Sequence, residues 1–322
     1  MRRISDYSAQ MEKAVRDITL PGGVLSTLYE PISYALASGG KRLRPSLLLM
    51  AADSFGDSAS KAFSAAAGIE VFHNFTLLHD DVMDNSSTRR GRQSVFAKWG
   101  VNSAILSGDT MLTLATQLIC EVEDSLLRGV LDTFNSMAIR VYEGQRLDMD
   151  FETSEDVTLD DYIRMIMDKT GSLIGAACKI GALIGGASEK DAEKMYEYGM
   201  MLGVAFQIQD DWLDVFGDST TFGKPIGGDI NNNKKSYLVL KGKEVGGPDS
   251  VALAEAMKLP SGETKVKVVT RIYEKMNLSA ICRQEIASYS AKAISALKST
   301  SLSDEDKEAF RNVVEKLTGR KK

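Results

Sequence analysis

The pentapeptide Asp-Asp-x-x-Asp stands twice in this sequence, as Asp80-Asp81-Val82-Met83-Asp84 and as Asp210-Asp211-Trp212-Leu213-Asp214. With 25 aspartates in 322 residues, chance supplies roughly 0.15 copies of that pattern. Each copy ends an apolar segment patterned for a helix. On a helix Asp80 and Asp84 share a face, and so do Asp210 and Asp214. Like charges repel there, and the negative end of the helix dipole adds to the strain. A compensating cation is therefore expected. An all-carboxylate set suits a hard ion, and Mg²⁺ in particular takes one or two carboxylates plus water and phosphate oxygens. The bland alternative, a solvated acidic helix end, accounts poorly for two copies.

The rest of the chain is patterned for helices too. Apolar residues recur with a period near 3.6, alternating strand patterns are absent, and only 6 prolines interrupt 322 residues. Ile4, Tyr7, Met11, Val15 and Ile18 mark a first helix, closed by Pro21-Gly22-Gly23. Further helices are expected over 25–37, 46–54, 60–84, 102–122, 124–150, 159–187 and 189–216. GGKRLRP (39–45) reads as the loop before the third of these. The main breaks fall at 217–233, 246–248 and 260–262. Two or three amphipathic helices follow, one opening at Ser303 with Asp306 placed as in a capping box. With no linker rich in Pro, Ser or charge, the expectation is a single all-α domain spanning 1–322.

Composition narrows the function. A formal charge of −5 argues against a broad nucleic-acid-binding surface. Three scattered cysteines without a CxxC give no disulfide framework or zinc site and point to a reducing compartment. The charged N-terminus and the lack of an 18-residue apolar run predict a cytoplasmic protein with no membrane span. Basic residues cluster beside the acidic motifs and glycine breaks: Lys41, Arg42 and Arg44; Arg89, Arg90 and Arg92; Lys224, Lys234 and Lys235. Carboxylates with Mg²⁺ on one side and guanidinium or ammonium groups on the other describe a phosphorylated ligand. There is no P-loop and no GxGxxG after a strand.

At these residues the sequence resembles the trans-isoprenyl diphosphate synthases, the polyprenyl synthetase family of all-α prenyltransferases, in its short-chain, farnesyl or geranylgeranyl diphosphate synthase-like form. The ordered set GGKRLRP, EVFHNFTLLHDDVMD, RRG, SGDTMLT, EGQRLD, KTGSLI, FQIQDDWLD and GKPIGGDI carries the resemblance. It implies antiparallel helices around a central apolar cavity (the isoprenoid synthase fold), with the two Asp motifs facing each other at its mouth. Asp80, Asp81 and Asp84 would bind Mg²⁺ bridging an allylic diphosphate, Asp210 would be the main ligand opposite, and Asp211 and Asp214 would support it. Three ions are implied with substrate bound. Arg89, Lys169, Lys224 and Lys234 match contacts to the allylic diphosphate; Lys41, Arg44, His73 and Arg90 match the pocket for isopentenyl diphosphate. Thr170 and Gln207 correspond to polar groups near the reacting carbons. The family also implies a homodimer.

In the family an aromatic residue five before the first motif marks short-chain enzymes, and here that residue is Phe75, with Phe72 one turn earlier as a second ring of a floor. The expected product is a C15 or C20 all-trans prenyl diphosphate, built from isopentenyl diphosphate and a C5–C15 allylic diphosphate. Thr76 and the lack of a two-residue insertion in the motif depart from common farnesyl synthase patterns. A longer-chain synthase, a class I terpene cyclase and a non-catalytic partner subunit are the alternatives. The second intact DDxxD disfavours the last two. His79 falls off the motif's face and reads as structural.

Overall fold

The computed structural model describes residues 4–217 and 226–319. Most of them are helical, as the patterning predicts. Two compact units divide the chain, Met1–Asn135 with Ala176–Met195, and Ser136–Gly175 with Tyr196–Lys322.

In the first unit lie α1 (Ile4–Arg16), α2 (Ser26–Leu36), α3 (Leu43–Gly56), α4 (Ala59–Met83), α5 (Val95–Trp99) and α6 (Val101–Ile119). α1 buries Tyr7, Met11 and Val15 and ends at Arg16, short of the expected Ile18. α3 starts at Leu43, so Leu43, Arg44 and Pro45 are helical rather than loop. α4 matches the expected 60–84 to within a residue and packs closely on α6. A Cβ on Gly68 would come within 2.9 Å of the Ala115 carbonyl oxygen, so only glycine permits that approach. One feature escaped the helical reading: strands β1 (Thr88–Arg89) and β2 (Arg92–Gln93) pair around Arg90-Gly91. Arg90 (φ 52) and Gly91 (φ 74) both take left-handed backbone, the two-residue turn that matches strand twist.

The helices α7 (Asp124–Thr153), α9 (Ser172–Ile184) and α10 (Glu189–Phe216) each contribute residues to both units. In the second unit α8 (Leu159–Ile166) opens with a full capping box: Thr158 Oγ1 accepts from Asp161 N–H at 3.1 Å, and Thr158 N–H donates back to Asp161 Oδ2 at 3.0 Å. The expected helix 159–187 is interrupted by a π turn, Met167–Gly171. The end of this turn and α9 touch α10 backbone to backbone. A Cβ on Gly203 would lie 2.6 Å from the Gly171 Cα, and one on Gly199 would lie 2.6 Å from the Gly175 Cα.

The C-terminal helices of this unit are α11 (Gly228–Asn231), α12 (Tyr237–Val245), α13 (Gly247–Met257), α14 (Glu263–Lys275), α15 (Leu278–Lys298) and α16 (Asp304–Thr318). Their core joins Trp212 and Leu213 of α10 to Tyr237, Leu238, Tyr273 and Cys282. Ser303 caps α16 by accepting from Asp306 N–H at 3.1 Å, the first half of the expected box.

Candidate active site

The first Asp motif closes α4. Asp81 is buried, Asp80 half-buried, and Asp84 sits exposed at the helix cap. The β1–β2 turn brings Arg89 onto Asp81, with Nε and Nη2 at 2.8 and 2.7 Å from Oδ1. Burial pushes the Asp81 carboxyl up, against the pull of Arg89 and with Asp84 adding to the rise. The neighbouring Arg90 turns the other way. Its guanidinium donates to the Gly39 carbonyl and lies 3.1–3.2 Å from where a Gly40 Cβ would be, so the glycine pair is the seat of an arginine.

His73, seven residues before Asp80, meets Arg44: Nη1 donates to Nε2 at 3.2 Å. Burial first, then Arg44, Arg90 and Arg89, press the imidazole well below its usual pKa. A neutral ring that accepts at Nε2 carries its proton on Nδ1. Arg44, His73 and Arg90 thus fall in one electrostatic neighbourhood. Lys41 is exposed, its carbonyl accepting from Ser8 Oγ at 3.0 Å. Arg42, by contrast, is turned inward: Nε donates to Glu12 at 2.7 Å, Nη1 to Glu70 at 2.5 Å and Nη2 to the Leu36 carbonyl at 2.8 Å. That corrects its reading as a phosphate-facing cation, because its charge is already met.

Phe72 and Phe75 are buried with ring centroids 5.5 Å apart, and Phe72 also meets Phe134 edge-on at 5.3 Å. His79 packs on Phe75 at 4.8 Å, occupies the space a Gly108 side chain would need, and donates to the Ile105 carbonyl at 3.3 Å.

In the second unit the π turn presents Lys169 and Thr170. Lys169 Nζ lies 2.6 Å from Asp148 Oδ2. Burial raises the Asp148 carboxyl, but Lys169 and Lys234 together hold it below its ordinary value. Arg140 anchors the turn from α7, bonding Asp168 at 2.7 Å and the Tyr196 hydroxyl at 3.1 Å. Gly144 leaves room for it; a Cβ there would lie 2.3 Å from Lys169 N.

Thr170 Oγ1 donates to Gln207 Oε1 at 3.3 Å, and Gln207 Nε2 donates to Asp211 Oδ1 at 3.3 Å. Asp211 is buried; its Oδ2 accepts from the Tyr162 hydroxyl at 2.6 Å and from Tyr237 N–H at 2.8 Å. Burial, and then the Asp229 carboxylate, push it up to about 7. Asp214 accepts from Asp229 N–H at 3.0 Å and is pushed up to about 6, by burial first and Asp229 second. Asp210 lies half-buried on the same helix. Lys234 is exposed after α11, and its charge is felt at Asp148, Asp211 and Asp214. Lys224 lies outside the described residues.

The sequence reading missed Asp148, Tyr162, Asp168 and Asp229. Asp148 and Asp229 stand inside EGQRLD and GKPIGGDI, so the signal was present. Tyr162 and Asp168 carry none, since their partners come from other helices.

A model of the polyprenyl synthetase family matches residues 25–276. The chain belongs to that family. It is a prenyltransferase. Among similar proteins, the geranylgeranyl diphosphate synthase of Methanosarcina mazei is 40% identical over 245 residues, 76% of this chain and 75% of that one. The geranylfarnesyl diphosphate synthase of Natronomonas pharaonis is 38% identical over 237 residues, 68% of this chain and 70% of that one. A crystal structure of a geranylgeranyl pyrophosphate synthase matches with a TM-score of 0.93 at 40% identity, covering 100% of each chain.

Among the described residues no three His, Cys, Asp or Glu side chains form a metal cage by themselves. The synthase's oxygen-only motifs flanked by Arg and Lys fit a cation that arrives with diphosphate and water, as Mg²⁺ does.

Proposed function

We propose that this prenyltransferase condenses isopentenyl diphosphate with a C5–C15 allylic diphosphate, in the presence of Mg²⁺, to give a C15 or C20 all-trans prenyl diphosphate and diphosphate. The carrying observation is α4 itself, which ends in a carboxylate motif gripped by Arg89 and holds the Phe72–Phe75 ring pair on its preceding turns. At 1.5 Å per residue the rings begin roughly 7 Å and 12 Å down the helix from Asp80. Likeness to a geranylgeranyl diphosphate synthase supports the C20 end. Likeness to a geranylfarnesyl diphosphate synthase supports a longer product as the second reading.

In this reading Asp80, Asp81, Asp84, Asp210, Asp211 and Asp214 are the Mg²⁺-binding carboxylates, with three ions when substrate is bound. Asp211 and Asp214, held by protein donors, act mainly by orienting Asp210 and through water. Mg²⁺ held by these carboxylates would supply Lewis-acid neutralisation of a diphosphate leaving group. Arg89, Lys169, Lys224 and Lys234 add fixed positive charge where the leaving group develops negative charge, the largest contribution a preorganised site makes. Lys41, Arg44, His73 and Arg90 hold the diphosphate of the second substrate. His73, neutral, serves as an acceptor that fixes the Arg44 guanidinium. Thr170 and Gln207, already bonded to each other, present lone pairs toward the allylic cation. Apolar walls keep water away from it.

The chain works as one catalytic domain over 1–322. A second copy covers the apolar side of α6, where Val101, Ile105 and Leu106 are 46%, 41% and 59% exposed. Free thiols at Cys120, Cys178 and Cys282 support a cytoplasmic location. The test is purified protein with Mg²⁺, isopentenyl diphosphate and each allylic primer, followed by product sizing. A C15 or C20 diphosphate is expected. No product from any primer refutes the reading, and a cyclic hydrocarbon from a preformed prenyl diphosphate replaces it with a cyclase.

A further inference from the structure

The turn carrying Lys234 is gripped by the first turn of α14 and the residues just before it. Ser261 Oγ donates to the Asn231 carbonyl at 2.8 Å, and Gly262 N–H donates to Asn231 Oδ1 at 2.9 Å. Val266 seats on Gly227 (φ +81), where a Cβ would lie 2.6 Å from Val266 Cγ1. Between these contacts Lys265 Nζ donates to Asn233 Oδ1 at 2.6 Å.

Lys265 is the unusual member. Its residue exposure is 0%, and among the described residues it has no ion-pair partner. A buried ammonium held by a neutral amide is unfavourable by itself, since lost hydration is only partly replaced. Asn233, its acceptor, is one of the few non-glycine residues in left-handed backbone (φ 53). The next residue is Lys234, whose N–H donates to the Asp229 carbonyl at 2.9 Å. Asp229 N–H in turn donates to Asp214 Oδ2 at 3.0 Å. One short chain of contacts therefore runs from Lys265 through Asn233 and Lys234 to the second Asp motif.

We infer that Lys265 is a positioning residue: by holding Asn233 Oδ1 it fixes the left-handed turn that aims the Lys234 ammonium at a bound diphosphate. The inference rests on reading Lys234 as a diphosphate contact. An ordinary anchor for α14 would need no charge. Leucine or methionine would fill the same space without the loss of hydration. The ammonium reaches an amide that a shorter or apolar side chain cannot hold.

The experiment is calorimetric titration of the full-length protein with inorganic diphosphate in excess Mg²⁺, with the KM for the allylic diphosphate as a second readout. K234A is expected to weaken diphosphate about tenfold. K265M, which keeps the length and apolar stem, is expected to weaken it roughly three- to fivefold and to raise KM more than it lowers kcat. K265M/K234A should bind no more weakly than K234A alone, because Lys265 acts only through Lys234. N233G keeps the left-handed backbone and removes the acceptor. It should reproduce K265M, and it decides the same question if K265M does not fold. If K234A weakens binding while K265M and N233G leave it unchanged, or add their own factor on top of K234A, the positioning role is overturned and the role of Lys234 stands. If K234A itself binds normally, both fall.

Discussion

Gly144→Ala is the most demanding test of how the second unit delivers Lys169. Gly144 lies inside α7 and faces the π turn. A Cβ there would sit 2.3 Å from Lys169 N, 2.8 Å from its Cα and 2.9 Å from the Asp168 carbonyl carbon, where ordinary contact begins near 3.4 Å. All three neighbours are backbone, so no rotamer change relieves the clash and the turn must move by about 1 Å. Overpacking of this kind costs about 1–3 kcal/mol, while replacing a helical glycine by alanine returns about 0.5–1 kcal/mol. The net expectation is a loss of about 0–2.5 kcal/mol in stability. The effect on turnover should be larger, because a 1 Å displacement of Lys169 and Thr170 can lower the rate about 100-fold.

Gly129→Ala on the same helix supplies the control. Its added methyl would meet only Leu183 Cδ1 at 3.8 Å, so it should be neutral or stabilising by about 0.5–1 kcal/mol. Thermal melts by circular dichroism and condensation rates at 25 °C measure both variants. Wild-type turnover in Gly144→Ala, or equal behaviour of the two alanines, would refute the claim that backbone contact at Gly144 sets the site.

Two further outcomes follow from the same geometry. Phe75→Ala combined with Phe72→Ala removes the ring pair at 5.5 Å, and the mean product chain should lengthen by at least one isoprene unit on chromatography; an unchanged distribution sinks the floor. Asp211, pushed to about 7 from its ordinary value of 3.8, leaves the native state holding more protons than the unfolded chain between those pH values. Stability owed to that group therefore falls as pH rises from about 4 to about 7 and is level above. With metal chelated, the stability of Asp211→Asn relative to wild type should rise across that window, and a flat difference in urea titrations would contradict the assignment.

Helix-scale organisation was legible because it depends on local periodicity. The span 189–216 and the segment closing on Asp84 are recovered nearly to the residue. The motifs were legible because the chemistry demands repeated residue types at fixed spacing. What stayed hidden depends on partners distant in sequence. Arg42 reads like its neighbours in GGKRLRP, yet Glu12 and Glu70 claim it from α1 and α4. The π turn at 167–171 leaves no mark in the apolar pattern, and the neighbour it packs against, Gly144, stands on another helix. The four paired residues of β1 and β2 are too few to show strand alternation, and Arg90-Gly91 is the one local turn signal they leave. Thr158-x-x-Asp161 is a capping box legible in the sequence at the head of a longer helical run.

The glycine contacts that the π turn and α9 make with α10 bear on how this protein can change. Gly171 against Gly203 lies one residue from Thr170 and one helical turn from Gln207, and those two side chains are bonded at 3.3 Å. With the backbones in direct contact at Gly171–Gly203 and Gly175–Gly199, sliding or rotating either segment separates the pair. The segments 169–175 and 199–207 therefore pack as one unit. A graft that exchanges one with a homologue and leaves the other should lose the Thr170–Gln207 register, whereas a graft exchanging both should keep it.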